Sequence, residues 1–189
     1  AETFAPTLDM AALKAAPHKL IELPLTRKFS FERDDLEDIQ LAALKMRFES
    51  LVAKVGVLGR FAEEQKLSEV RSLADGALLL FPHTFYKSYP LAAVEAGKFD
   101  SMTRWLGTLT AIDLSHVDTT GCESIDDWID ALDRQTDLRV RHSSGTTGKL
   151  SFVPMSLSEM PSAVAGIERS FENFGDETGG YEGGFGKLP

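Results

Sequence analysis

The run Ser144-Gly145-Thr146-Thr147-Gly148-Lys149 concentrates more potential chemistry than any other stretch of the chain. With Ser143 in front of it, it offers four hydroxyl donors and one positive charge. Gly145 and Gly148 let the backbone turn sharply and let a bulky anion come close. Consecutive N–H groups in such a turn form an anion-binding concavity. The ligand suited to these donors is a polyphosphate.

The spacing differs from the usual nucleotide P-loop, which needs G-x-x-x-x-G-K-[ST] after a strand and before a helix. Here only two residues separate the glycines, and Leu150 follows Lys149. Leu138 and Val140 alternate with Arg139 and Arg141, which predicts a strand over Leu138–His142. Leu150-Ser151-Phe152-Val153 predicts a second, antiparallel strand ending at Pro154. The expectation is strand, loop, strand, with no helix dipole aimed at the phosphates. A surface hairpin with a Ser/Thr/Gly-rich loop is the plain alternative. His142 lies beside the loop, either facing it or as an ordinary strand side chain.

The segment resembles the phosphate-binding signature of adenylate-forming enzymes: acyl- and aryl-CoA ligases, luciferases and peptide-synthetase adenylation domains. Their common pattern is Ser-Gly-Thr-Thr-Gly-x-Pro-Lys. This sequence departs from it after Gly148: Lys149 takes the variable position, Leu150 replaces the proline and Ser151 replaces the lysine. That leaves Lys149 to supply the charge. The pattern is most similar to the phenylacetate–CoA ligase and acyl-protein synthetase branch. Ile125-Asp126-Asp127-Trp128-Ile129-Asp130-Ala131-Leu132 is also similar to that branch, less specifically.

The resemblance implies ATP-phosphate binding by Ser143, Ser144, Gly145, Thr146, Thr147, Gly148 and Lys149, with ATP and Mg2+ as cofactors. It implies a carboxylic acid as substrate, activated as an acyl-adenylate. The acyl group would pass to coenzyme A, an acyl-carrier protein or another protein. In such enzymes the adenine and acid pockets follow the phosphate loop. The expectation is therefore an N-terminal portion of a ligase, partnered by the remainder of its parent chain and inactive alone. No catalytic residue and no protein metal ligand is assignable. The alternative from another class is a non-enzymatic helical binding or scaffold module with an anion-binding hairpin.

The rest of the 189 residues sets bounds on this reading. A hydrophobic share of 43% and a charged share of 26% are ordinary for a globular chain. A net charge of −9 and a pI near 4.9 argue against general affinity for nucleic acid or anionic membranes. A local basic patch from Arg139, Arg141 and Lys149 remains open. Cys122 is the only cysteine, so no internal disulfide forms, in keeping with a reducing, cytoplasmic setting. The longest apolar run, Ala77–Phe81, is too short to span a bilayer. No signal peptide is visible.

The expected architecture is mixed α/β. A largely helical N-terminal part leads into the strand–phosphate loop–strand unit and a helix, as an incomplete part of an adenylate-forming N-terminal domain. Residues 1–175 form this domain. Residues 176–189, with Gly179, Gly180, Gly183, Gly184 and Gly186, read as a mobile tail.

Along the chain, Asp9 caps a helix that Pro17 ends, and Leu20–Leu25 reads as an extended arm. A helix starts at Ser30, carries acidic first turns from Asp34 to Asp38 and loosens at Gly56 and Gly59. A second helix carries Phe61, Leu67, Val70 and Leu73, and Asp75-Gly76 closes it. Leu78–Phe81 reads as buried. Ser88 caps a helix that has Pro90 in its first turn and ends at Gly97. Asp100 or Ser101 caps a helix holding Met102, Trp105 and Leu106.

Leu109–Leu114 reads as a strand, followed by a polar loop. Within that loop Asp113, His116 and Asp118 alternate without a clear metal geometry. Ser124 and Asp127 form a capping box for a helix from Ile125 to about Gln135, with Trp128, Ile129 and Leu132 inward. Asp126, Asp130, Asp133 and Asp137 form its wet side. Ser156 or Ser158 starts a last helix, lined by Met160, Val164, Ile167, Phe171 and Phe174 and ended by Gly175.

Overall fold

The computed structural model describes residues 9–23, 30–143 and 149–175, with side chains up to 168 in the last helix. The α-helices are α1 (Met10–Ala15), α2 (Arg33–Leu51), α3 (Gly56–Glu64), α4 (Leu73–Leu78), α5 (Leu91–Glu95), α6 (Phe99–Gly107), α7 (Ile125–Gln135) and α8 (Met160–Gly175). Short 3-10 turns cover Pro17–Glu22 and His83–Lys87. Strands β1 (Leu138–His142) and β2 (Phe152–Ser156) pair antiparallel. The protein is thus mixed α/β and mostly helical. The chain divides into two compact units, residues 44–160 and the segments flanking them.

The flanking unit begins with α1, whose N–H groups at Ala11 and Ala12 donate to the Asp9 carboxylate at 3.0 and 3.2 Å. The Lys14 ammonium donates to Asp38 Oδ2 at 2.6 Å, and Leu13 and Ile39 are buried. Where an extended arm was expected after Pro17, residues Pro17–Glu22 form a 3-10 turn. Proline at its first position presets the backbone for that turn. Pro24, Leu25 and residues 176–189 lie outside the described residues.

The central unit is organised by aromatic rings. Phe152 meets Tyr89, Trp128 and Trp105 at centroid distances of 5.2, 5.4 and 6.3 Å. Phe99, Met102, Leu106, Leu114, Leu132 and Leu138 complete the buried cluster. Directly paired residues share a face of a sheet, so Leu138 and Val140 lie on the face of Phe152. The alternation seen in the sequence therefore seats β1 on the helices. Both indoles keep their donors satisfied. Trp128 Nε1 donates to Thr103 Oγ1 at 2.9 Å, and that hydroxyl donates to the Phe99 carbonyl. Trp105 Nε1 donates to Ser88 Oγ at 3.0 Å, which donates to the Phe85 carbonyl.

The antiparallel pairing agrees with expectation, but β2 runs over Phe152–Ser156 instead of Leu150–Val153. Pro154 does not end it. Ser143 N–H donates to the Ser151 carbonyl, and Leu157 N–H donates to the Asp137 carbonyl. Hydrogen-bonded pairs alternate with open ones from those two points. Pro154, opposite Val140, therefore falls at an open pair where no N–H is needed.

Several boundaries also differ. α2 ends at Leu51, and Gly56 starts α3 instead of loosening α2. Lys66, at φ 56°, turns the chain after α3, so the expected second helix is two helices. Asp75 opens α4 through a capping box with Ser72, and Gly76 is buried where an added Cβ would come within 2.8 Å of Leu44 Cδ1. Leu78 and Leu80 are 50% and 72% exposed, because α4 turns its Gly76 side inward. Ser88 and residues Asp100 and Ser101 do not act as caps; Pro90 and Lys98 stand at those positions. Gly97 ends α5 as expected, with φ 64°.

Leu109–Leu114 forms turns and no strand, with Thr110 Oγ1 accepting from the Ile112 N–H. α8 starts at Met160, and Ser156 is held by Glu159. Val164 and Ile167 are exposed, not inward. By contrast α7 has the expected limits and capping box, and Trp128 and Leu132 are fully buried.

Phe152→Ala should cost about 3–5 kcal/mol of stability in urea unfolding, as for other large core deletions. A loss below about 1 kcal/mol would mean the ring is not the hub. At the start of α7, Asp127 Oδ2 accepts from Ser124 Oγ and from the N–H groups of Ser124 and Glu123. The Ser124 hydroxyl, and then the Glu123 N–H, hold this carboxyl below its ordinary value of 3.8. A depressed carboxyl stabilises the fold above its unfolded pKa, and that stability is lost as pH falls through the folded value. The stability gap between wild type and Asp127→Asn should thus be full above about pH 4 and close below it. A gap that does not change with pH, in urea titrations, would contradict this.

Candidate functional site

Two strand ends bracket the Ser/Thr/Gly segment. Ser144, Gly145, Thr146, Thr147 and Gly148 lie outside the described residues; Ser143 and Lys149 are described. Ser143 closes the hairpin beyond the ladder. Its N–H donates to the Ser151 carbonyl at 3.2 Å, and its Oγ accepts from the Ser151 N–H at 3.2 Å. The hydroxyl keeps its own proton free to donate, and the residue is exposed.

Lys149 is half-buried and gripped by Tyr89. Its Nζ donates to the Tyr89 carbonyl at 3.1 Å and stands 4.3 Å from the centre of the Tyr89 ring. An ammonium has three donors, so this arrangement leaves donor capacity for a ligand. Burial pushes the Tyr89 phenol up in pKa. The phenol is therefore neutral at ordinary pH. Tyr89 itself is buried against Trp105 and Phe152, so the grip is mounted on the core.

The other basic residues diverge from this point. One Arg139 nitrogen, Nη1, donates to the carbonyls of Asp133, Thr136 and Leu138, and its Nε lies 3.6 Å from Asp133 Oδ2. It thereby serves the C-terminal end of α7, where the dipole favours a cation. Arg139 and Arg141 lie on the face opposite Phe152. Arg141 and His142 are exposed.

The remaining polar candidates are used locally. His116 Nε2 contacts the Gln135 carbonyl at 3.0 Å, and Asp113 and Asp118 accept from Ser115 and Thr120. Among the described residues, no group of His, Cys, Asp and Glu is placed to hold a metal ion. Burial, with Asp127 adding to it, pushes the Cys122 thiol up, away from thiolate reactivity. A cleft of about 560 Å3 is lined by Lys54, Asp100, Arg104, Thr110, Asp113 and Ser115 and by no hairpin residue. Its Arg104 is paired with Asp100 at 2.9 Å. No described helix is long and apolar enough to cross a membrane.

The chain matches no protein-family model, no curated protein and no solved structure. Tyr89 is the site residue that sequence reasoning missed. It lies 60 positions from Lys149, and no local spacing links them.

Lys149→Met keeps an apolar stem but removes the ammonium from Tyr89. Stability should fall by about 0.5–2 kcal/mol, the range of a cation–π contact. Urea unfolding that is identical for both proteins would argue against the grip.

Proposed function

We propose that this chain carries the ATP-phosphate-binding portion of a ligase that activates a carboxylic acid as an acyl-adenylate. The acid's carboxylate oxygen attacks the α-phosphorus of ATP, and pyrophosphate leaves. The acyl group then passes to coenzyme A or a protein thiol. The observation that carries this reading is the strand on each side of the Ser144–Lys149 segment, with β2 following where a P-loop would have a helix.

The residues present suit the phosphates better than they suit a protein-bound metal. Lys149 retains donor capacity and Ser143 retains its hydroxyl proton, and a run of Ser, Thr and Gly between them is of the composition that supplies further donors to an anion. Bound magnesium would be held by phosphate oxygens and water, its usual arrangement beside nucleotides, and would offset their charge. The chain's contribution is positioning and electrostatic stabilisation of the leaving pyrophosphate.

The test begins with the 189-residue chain. MgATP should shift the amide NMR resonances of Gly145–Lys149, and Gly145→Val should abolish the shifts by blocking close approach. The chain alone should not catalyse acid-dependent ATP–pyrophosphate exchange. In the parent ligase, Thr147→Ala should slow adenylation by about 10²–10³-fold, the range for a preorganised donor. The absence of loop shifts with saturating MgATP, or formation of ADP instead of AMP by the parent, would sink the proposal.

A further inference from the structure

We infer that Tyr89 is a positioning residue for the phosphate site: it fixes where Lys149 presents its charge, and Lys149 stays on Tyr89 when a polyphosphate is bound. The inference rests on the phosphate-binding reading of the Ser143–Lys149 segment.

Two contacts carry it. The Tyr89 carbonyl accepts from Lys149 Nζ at 3.1 Å. The face of its ring lies 4.3 Å below the same ammonium, where the ring quadrupole attracts a cation. One side chain and its own backbone thus hold Lys149 just before the chain enters β2.

Free lysine side chains carry large rotamer entropy, and a cation that must be ordered by its ligand binds more weakly for that reason. Here the ordering is already done by a residue that is itself immobilised. Tyr89 is 5% exposed and meets Trp105 and Phe152 at 5.4 and 5.2 Å. The carbonyl takes one of the ammonium's three donors and leaves capacity for a ligand. A ligand phosphate can therefore be met without breaking the grip. Tyr89 itself need not touch the ligand.

The experiment uses the full chain and inorganic pyrophosphate with Mg2+ as probe, read by calorimetry and by NMR of the Lys149 side chain. In the wild type, protons next to the Lys149 ammonium should be shifted upfield by the Tyr89 ring, both free and at saturation. Tyr89→Phe keeps the ring and the carbonyl and should bind within about twofold of wild type. Tyr89→Leu removes the ring and should weaken binding by about three- to tenfold, the cost of ordering a freed lysine side chain on the ligand.

Equal or tighter binding by a folded Tyr89→Leu overturns the inference and leaves the phosphate reading standing. Loss of the upfield shift at saturation also overturns it, whether or not the leucine variant folds. Failure of the wild type to bind pyrophosphate overturns the phosphate reading and the inference with it, even if the free chain shows the shift.

Discussion

The contact on which the central unit depends is the insertion of the Phe152 ring between Tyr89, Trp105 and Trp128. A two-stranded hairpin is at best marginally stable in water by itself. β1 and β2 have no further strand beside them among the described residues. Their stability must come from the apolar face they lay on α6 and α7, and Phe152 and Leu138 are its fully buried members. The same burial selects the register. A slip of one residue in β2 would turn Phe152 outward and put Ser151 or Val153 in its place.

Rings of this size bring polar atoms with them, and the structure satisfies each in turn. The Trp128 donor reaches Thr103, whose hydroxyl passes its own proton to the Phe99 carbonyl. The Trp105 donor reaches Ser88, which does the same to Phe85. A buried donor left without a partner would cost about 1–3 kcal/mol. Lys149 follows this logic at the edge of the core. Its ammonium is half-buried beside apolar rings, and the Tyr89 carbonyl and ring face offset the loss of water. The requirement to satisfy that charge links the core to the proposed phosphate site, because the group that satisfies it also fixes its position.

Where the decisive interactions lie within about four residues, the sequence was the better guide, although the equally local Ser72–Asp75 capping box reads in the sequence as a helix end. The Asp9 cap, the Ser124–Asp127 capping box, the limits of α7, the left-handed turn at Gly97 and the alternation of β1 are all local. Each follows from the hydrogen-bonding needs of a helix end or from the two-residue period of a strand. The Ser/Thr/Gly/Lys composition of the candidate site is legible for the same reason, since its donors are consecutive. Its flanking strands were legible too, apart from the extent of β2.

What tertiary structure decided was the use made of ambiguous residues. Leu109–Leu114 has strand-like residues but pairs with no strand, so its polar groups close turns instead. Leu78 and Leu80 are apolar yet exposed, because the short helix before Leu80 buries Gly76 against Leu44. Ser88 has the right type and place for a cap, but the indole of Trp105 claims it from 17 residues away. Pro154 stays inside β2 because the register puts it at an open pair. Lys149 meets Tyr89 only when β2 is seated on the aromatic core. Local sequence can specify a hydrogen bond to a near neighbour, but a partner 60 residues distant is selected by packing, and packing exists only once the chain has folded.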